Sequence, residues 1–63
     1  MDRTVLDPDT LAFVVADITT RVQAELIMRD DARRAGKPEM ATLHGDRAQA
    51  FAEIARLLRS WIQ

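Results

Sequence analysis

The sequence has no cysteine and only two glycines and two prolines among its 63 residues. The absence of cysteine excludes a disulfide scaffold and any site built on a thiolate. No apolar run approaches the roughly 18 residues that a membrane span requires. A chain of this length also excludes a multidomain enzyme. The amino-terminal residues lack the basic region and apolar stretch of an export signal, so we expect a single small domain in the cytoplasm.

The sequence also has no large excess of charge of either sign. It contains ten acidic and nine basic side chains, which gives a net charge of −1. Such a balance creates no long-range field toward nucleic acid or anionic lipid, and we predict neither a membrane nor a nucleic-acid partner. Apolar residues make up 48% of the chain. A chain this short, without a metal or a disulfide, commonly completes its core with another subunit, so we expect a homo-oligomer.

Capping signals divide the chain into two helices. Asp7 precedes Pro8, and this pair is typical of an N-cap followed by proline at the first helical position. Gly36 can end a helix in the left-handed conformation, and Pro38 can open the next helix. The predicted organisation is a tail at residues 1–6, a first helix at about 8–35, a turn at 36–38 and a second helix at about 38–62.

Two alternatives stay open within this organisation. Residues 11–22 are rich in β-branched side chains and could form a buried strand, although their spacing fits a helix better than a period of two. Gly45 precedes Asp46, a competent N-cap, so the second helix could break there. In the tail, Val5 and Leu6 are expected to pack ahead of the first helix cap.

The apolar residues of each helix fall on one side. On the first helix they are Leu11, Val14, Val15, Ile18, Val22 and Leu26. On the second they form a wide bundle stripe, accompanied by one arginine: Met40, Leu43, Arg47, Ala50, Phe51, Ile54, Leu57, Leu58, Trp61 and Ile62. A short turn makes the helices antiparallel, with partner numbers adding up to about 73. The predicted pairs are Leu11 with Ile62, Val15 with Leu58, Ile18 with Ile54 or Ala55, Val22 with Phe51, and Leu26 with Arg47.

The first helix carries a second apolar flank that its hairpin neighbour cannot cover, comprising Phe13, Ala24, Ile27 and Met28 with Ala16 and Thr20 beside them. The stripe of the second helix, which reaches round to Leu57 and Trp61, is likewise too wide for one facing helix. Two hairpins related by a two-fold axis would cover both of these apolar surfaces. We therefore predict an all-α helical hairpin that pairs as a homodimeric four-helix bundle. The predicted interface residues are Phe13, Thr20, Ala24, Ile27, Met28, Leu57 and Trp61.

Few residues carry candidate chemistry. His44 is the sole histidine. The sequence contains no cysteine and no Glu-x-x-His or His-x-x-x-His pair that could supply further ligands, so we predict no metal and no cofactor. Glu25 and Arg47 are expected to form a structural pair that fixes helix register. The alternative is a small helical enzyme with a site at Glu25, Arg29, His44 and Arg47.

The remaining function classes rest on exposed side chains. Arg56 and Arg59 lie one turn apart and could contact phosphates in a DNA-binding regulator, which we keep as a further alternative. We expect Trp61 to be a core residue. The alternative is that it is exposed and anchors a partner. The sequence favours a non-catalytic module, of the kind found in a bacterial or phage regulator, antitoxin or adaptor, which binds a larger protein through a helix surface.

Overall fold

A computed structural model describes residues 7–62, which form two helices packed against each other. Helix α1 spans Pro8–Arg34 and helix α2 spans Pro38–Ile62. This arrangement confirms the predicted all-α hairpin, and the strand considered for residues 11–22 does not form. Helix α2 continues through Gly45, so the alternative of a break there is wrong. The expected packing of Val5 and Leu6 lies outside the described residues. Neither helix is long and apolar enough to cross a membrane.

Helix α1 begins where the capping signals place it. The side chain of Asp7 accepts a hydrogen bond from the backbone N–H of Thr10 at 2.7 Å, and Pro8 occupies the first helical turn. Because this bond stabilises the carboxylate, the pKa of Asp7 is lowered below its ordinary value of 3.8. Asp9 adds a second negative charge in the first turn, where the helix dipole favours it.

The turn between the helices is a Schellman motif. Gly36 has a φ of 72°, a left-handed conformation that glycine adopts at little cost. The N–H of Gly36 donates to the carbonyl of Arg33 at 3.1 Å, and the N–H of Lys37 donates to that of Ala32 at 2.8 Å. These bonds satisfy carbonyls that the end of α1 leaves without helical partners. The chain therefore reverses within three residues, and α2 starts at Pro38.

The residues buried between the helices recur at alternating steps of three and four, and we call this line the seam. On α1 it comprises the buried Leu11, Val15, Glu25 and Ala32 with the half-buried Ile18, Val22 and Arg29. On α2 it comprises the buried Ala41, Ala48 and Ala55 with the half-buried His44, Phe51 and Leu58. A residue seven positions further along the helix returns to nearly the same side. The three alanines of α2 therefore lie in one row against α1.

The centre of the α2 stripe differs from the sequence-based expectation. Met40, Leu43 and Ile54 are each 44–45% exposed, whereas Ala41 and Ala55, which directly follow Met40 and Ile54, are 6% and 3% exposed. Apolar periodicity locates the most hydrophobic side of a helix. The line of closest contact is instead set by small side chains, which let two helix backbones approach. The contact with α1 is consequently narrower than the apolar stripe.

Contacts across the seam support the predicted register. Glu25 on α1 contacts both His44 and Arg47 on α2. A Cβ added at Gly45 would lie 3.5 Å from Cδ of Arg29. The residue numbers add up to 72 for Glu25 with Arg47 and to 74 for Arg29 with Gly45, close to the predicted sum of about 73. Glu25 with His44 adds up to 69, which is one helical turn closer to the loop.

Candidate functional site

A polar cluster lies within the seam. Glu25 is 6% exposed, and its Oε1 lies 2.7 Å from Nδ1 of His44. Its Oε2 lies 3.2 Å from Nη2 of Arg47. An ionised carboxylate only accepts hydrogen bonds, so the Nδ1–H of His44 donates to it. The sequence-based pairing of Glu25 with Arg47 is present, and His44, which the enzyme alternative grouped with these two residues, is a second partner of the carboxylate.

This cluster satisfies its own members. A buried carboxylate is costly unless it is paired and hydrogen-bonded, and each oxygen of Glu25 has a partner from α2. The His44 side chain is 15% exposed and that of Arg47 is 53% exposed, so the guanidinium reaches from the surface to cover the carboxylate. No buried side-chain nitrogen or oxygen among the described residues lacks a partner. The arrangement is that of an interhelical clamp that fixes register.

Arg29, the fourth residue of the enzyme alternative, turns away from the cluster. Its Nε and Nη2 both lie 3.2 Å from Oδ1 of the neighbouring Asp30. Two open depressions occur near the turn, one lined by residues 36–40 and the other lined by Arg29, Arg33, Pro38, Ala41, Thr42, Gly45 and Asp46. Glu25 and His44 line neither of them. Over residues 7–62, no three acidic or histidine side chains converge as metal ligands would.

The predicted interface residues are not part of the intramolecular core. Phe13 is 75% exposed, Ile27 and Leu57 are each 61% exposed, and Met28 is 46% exposed. Trp61 is 70% exposed, so the first expectation, that it packs in the core of the chain, is wrong for the hairpin. The reason is its position six residues after the buried Ala55, which turns it about 120° away from the seam.

The seam divides the rest of the hairpin into two faces. Residues that immediately precede seam residues lie on the same side of both helices, because the helices are antiparallel. On α2 they form an apolar row with a single charge, namely Met40, Leu43, Arg47, Ala50, Ile54 and Leu57, and Trp61 continues this row seven residues after Ile54. On α1 they are mixed, with Val14, Ala24 and Met28 alternating with Asp17, Arg21 and Asp31. We call this side the apolar face.

Residues that immediately follow seam residues form the opposite face, whose α2 side chains are polar or small. On α2 it comprises Thr42, Gly45, Gln49, Ala52, Arg56 and Arg59. Both arginines of the DNA-binding alternative are therefore exposed on this side. The seven-residue repeat of alanine at positions 41, 48 and 55 is the sequence feature that coincides with the seam, whereas the more apolar stripe beside it does not.

A third surface lies on the back of α1. Phe13, Thr20 and Ile27 recur every seven residues, two positions before the seam residues Val15, Val22 and Arg29. Two helical steps amount to about 200°, so this row points away from α2. We call it the α1 ridge. The structure thus divides the predicted interface set into the α1 ridge and the members on the apolar face, which are Ala24, Met28, Leu57 and Trp61.

No protein family model matches the sequence, and comparison with curated proteins and with solved structures finds no similar one. Functional inference therefore rests on the surfaces and the polar cluster.

Proposed function

We propose that this hairpin is a non-catalytic protein–protein interaction module that acts as a homodimer and binds a larger protein through the α1 ridge. The observation that carries the proposal is the exposure of Phe13 and Ile27, 75% and 61%, on the side of α1 that faces away from α2. Large apolar side chains that share an exposed helix face are typical of partner-binding surfaces.

The spacing of the ridge fits this mode of binding. Phe13 and Ile27 lie fourteen residues apart, or about 21 Å along the helix, with Thr20 midway between them. A partner with an apolar groove could accept both side chains as anchors while the hydroxyl of Thr20 remains bonded to the carbonyl of Ala16. This mode of action suits a small bacterial or phage regulator, antitoxin or adaptor.

The other function classes have less support. The carboxylate of Glu25 is already engaged by His44 and Arg47, which favours a structural role over catalysis. The balanced net charge of −1 gives little long-range attraction to the phosphates of DNA, which Arg56 and Arg59 would have to contact.

The proposal is tested by affinity capture from a lysate of the native host with three baits: the wild type, Ile27→Glu and Ala52→Glu. Ala52 is exposed on the opposite face of α2 and serves as the matched control. We expect the wild type and Ala52→Glu to retain a shared protein that Ile27→Glu loses. With that protein purified, Ile27→Glu should weaken the dissociation constant at least tenfold, as loss of an anchor side chain does, to roughly 1.4 kcal/mol or more. Equal capture by all three baits would contradict the proposal.

A further inference from the structure

The exposed apolar row of α2 is arranged symmetrically about Ala50. Leu43 and Leu57 lie seven residues to either side of it, and Met40 and Trp61 lie ten and eleven residues away. Arg47 and Ile54 lie three and four residues away. A row with this symmetry can face a reversed copy of itself and place large side chains beside large ones.

We infer that a second copy of this chain docks on the apolar face about a two-fold axis that passes beside Ala50, with α2 antiparallel to the partner's α2. In this register Met40 faces the partner's Trp61, Leu43 faces the partner's Leu57, and Arg47 faces the partner's Ile54. The inference rests on the proposed function because it treats the hairpin as an interaction module. It concerns a different surface from the α1 ridge.

Small side chains occupy the position of the axis on both helices. Ala24 on α1 and Ala50 on α2 both belong to the apolar face, and they lie at nearly the same height because their numbers add up to about the interhelical sum of 73. Alanine at a crossing point lets helices approach to about 8 Å between axes. The face is therefore flattest where two identical hairpins would come closest.

The distribution of charge selects this pairing over the other two-fold arrangement. An axis parallel to the helices would place α1 over the partner's α2, so that Asp17, Arg21 and Asp31 would be buried against apolar side chains. Asp17 and Arg21 pair with each other and Asp31 pairs with Arg34, and burial of these ion pairs against apolar side chains would cost desolvation. The proposed axis instead places the apolar α2 row against itself and the mixed α1 row against itself.

The exposed side chains of the α2 row also favour a second copy as the partner. Five of them are large and 44–70% exposed, and two copies of the row that face each other would cover both sets.

The first test uses a pair of variants matched for exposure. Leu57 on the apolar face and Ile27 on the α1 ridge are both 61% exposed, and each is replaced by glutamate. Light scattering after gel filtration should give the mass of two chains for the wild type and for Ile27→Glu. Leu57→Glu should weaken the dimer at least about a hundredfold, because two unpaired carboxylates would be buried at the interface.

The second test does not depend on a disruptive substitution. The chain contains no cysteine, so Ala50→Cys introduces a single thiol beside the axis. Inward-facing Cα atoms of two helices about 8–10 Å apart come near the range of about 4.4–6.8 Å that a disulfide spans. We expect Ala50→Cys to form a disulfide-linked dimer on air oxidation. Ala52→Cys, on the opposite face of the same helix, should stay largely monomeric on a non-reducing gel.

Several outcomes would overturn the inference. A wild-type mass other than that of two chains would overturn it, as would dissociation by Ile27→Glu with Leu57→Glu still dimeric. Failure of Ala50→Cys to cross-link faster than Ala52→Cys would reject the position of the axis even if Leu57→Glu failed to fold. A dimer that forms as expected but captures no larger protein would support this inference and contradict the proposed function.

Discussion

The two halves of the seam hold the helices together in different ways. Toward the free ends the seam contains larger apolar side chains, Leu11 and Val15 on α1 with Phe51 and Leu58 on α2. Ala55 lies among them, whereas toward the turn the seam contains Ala32, Ala41 and Ala48 with the cluster around Glu25. Apolar contacts are non-directional and tolerate sliding, whereas a carboxylate with two partners fixes one register. The half of the seam near the turn, which has the smaller apolar side chains, is therefore the half that fixes the register of the two helices.

In the half of the seam near the turn, the two helices approach each other closely. The largest expected loss of stability comes from preventing that approach. Ala48 is 3% exposed, so a leucine there would force the helices apart beside Glu25. We expect Ala48→Leu to lower the free energy of unfolding by about 2–3 kcal/mol. The measurement is urea denaturation at one fixed protein concentration. Ala52→Leu, on the exposed side of α2, should change it by less than about 0.5 kcal/mol, and equal losses would refute the close-approach argument.

A smaller effect is expected from removing the central carboxylate. Glu25→Ala leaves the half-buried His44 without its acceptor and should cost about 1–2 kcal/mol. Replacing both residues, as in Glu25→Leu with His44→Leu, should recover that loss, because apolar packing costs no desolvation of charge. Glu53→Ala, at an exposed glutamate of α2, is the control. A double variant as unstable as Glu25→Ala would show that the cluster contributes net stability.

The smallest expected effect is a gain of stability at Gly45. A Cβ there meets only Cδ of Arg29 at 3.5 Å, an ordinary contact distance. Gly45→Ala should therefore raise the free energy of unfolding by about 0.5–1 kcal/mol, the usual preference of a helix interior for alanine. Gly36→Ala should act in the opposite direction, because the φ of 72° is unfavourable for alanine. Thermal unfolding of the two variants should show shifts of opposite sign, and shifts of the same sign would contradict this reasoning.

The helix ends and the sense of the hairpin could be predicted because local signals determine them. Asp7 with Pro8 and Gly36 with Pro38 act within a few residues of themselves, and antiparallel pairing follows from a short turn. The pairing of Glu25 with Arg47 follows from the same alignment. The direct bond from His44 to Glu25 was not predicted, because the distance between these residues depends on how closely the two helices pack, which periodicity does not report.

The sequence by itself determined that this protein is two capped helices folded back on each other, because caps, turn residues and helical periodicity are encoded locally. Only the tertiary structure decided which side of α2 meets α1. The most apolar line of that helix competes with the line of alanines, and close packing favours the alanines. That choice buries the clamp around Glu25 and leaves the Leu57 and Trp61 row exposed.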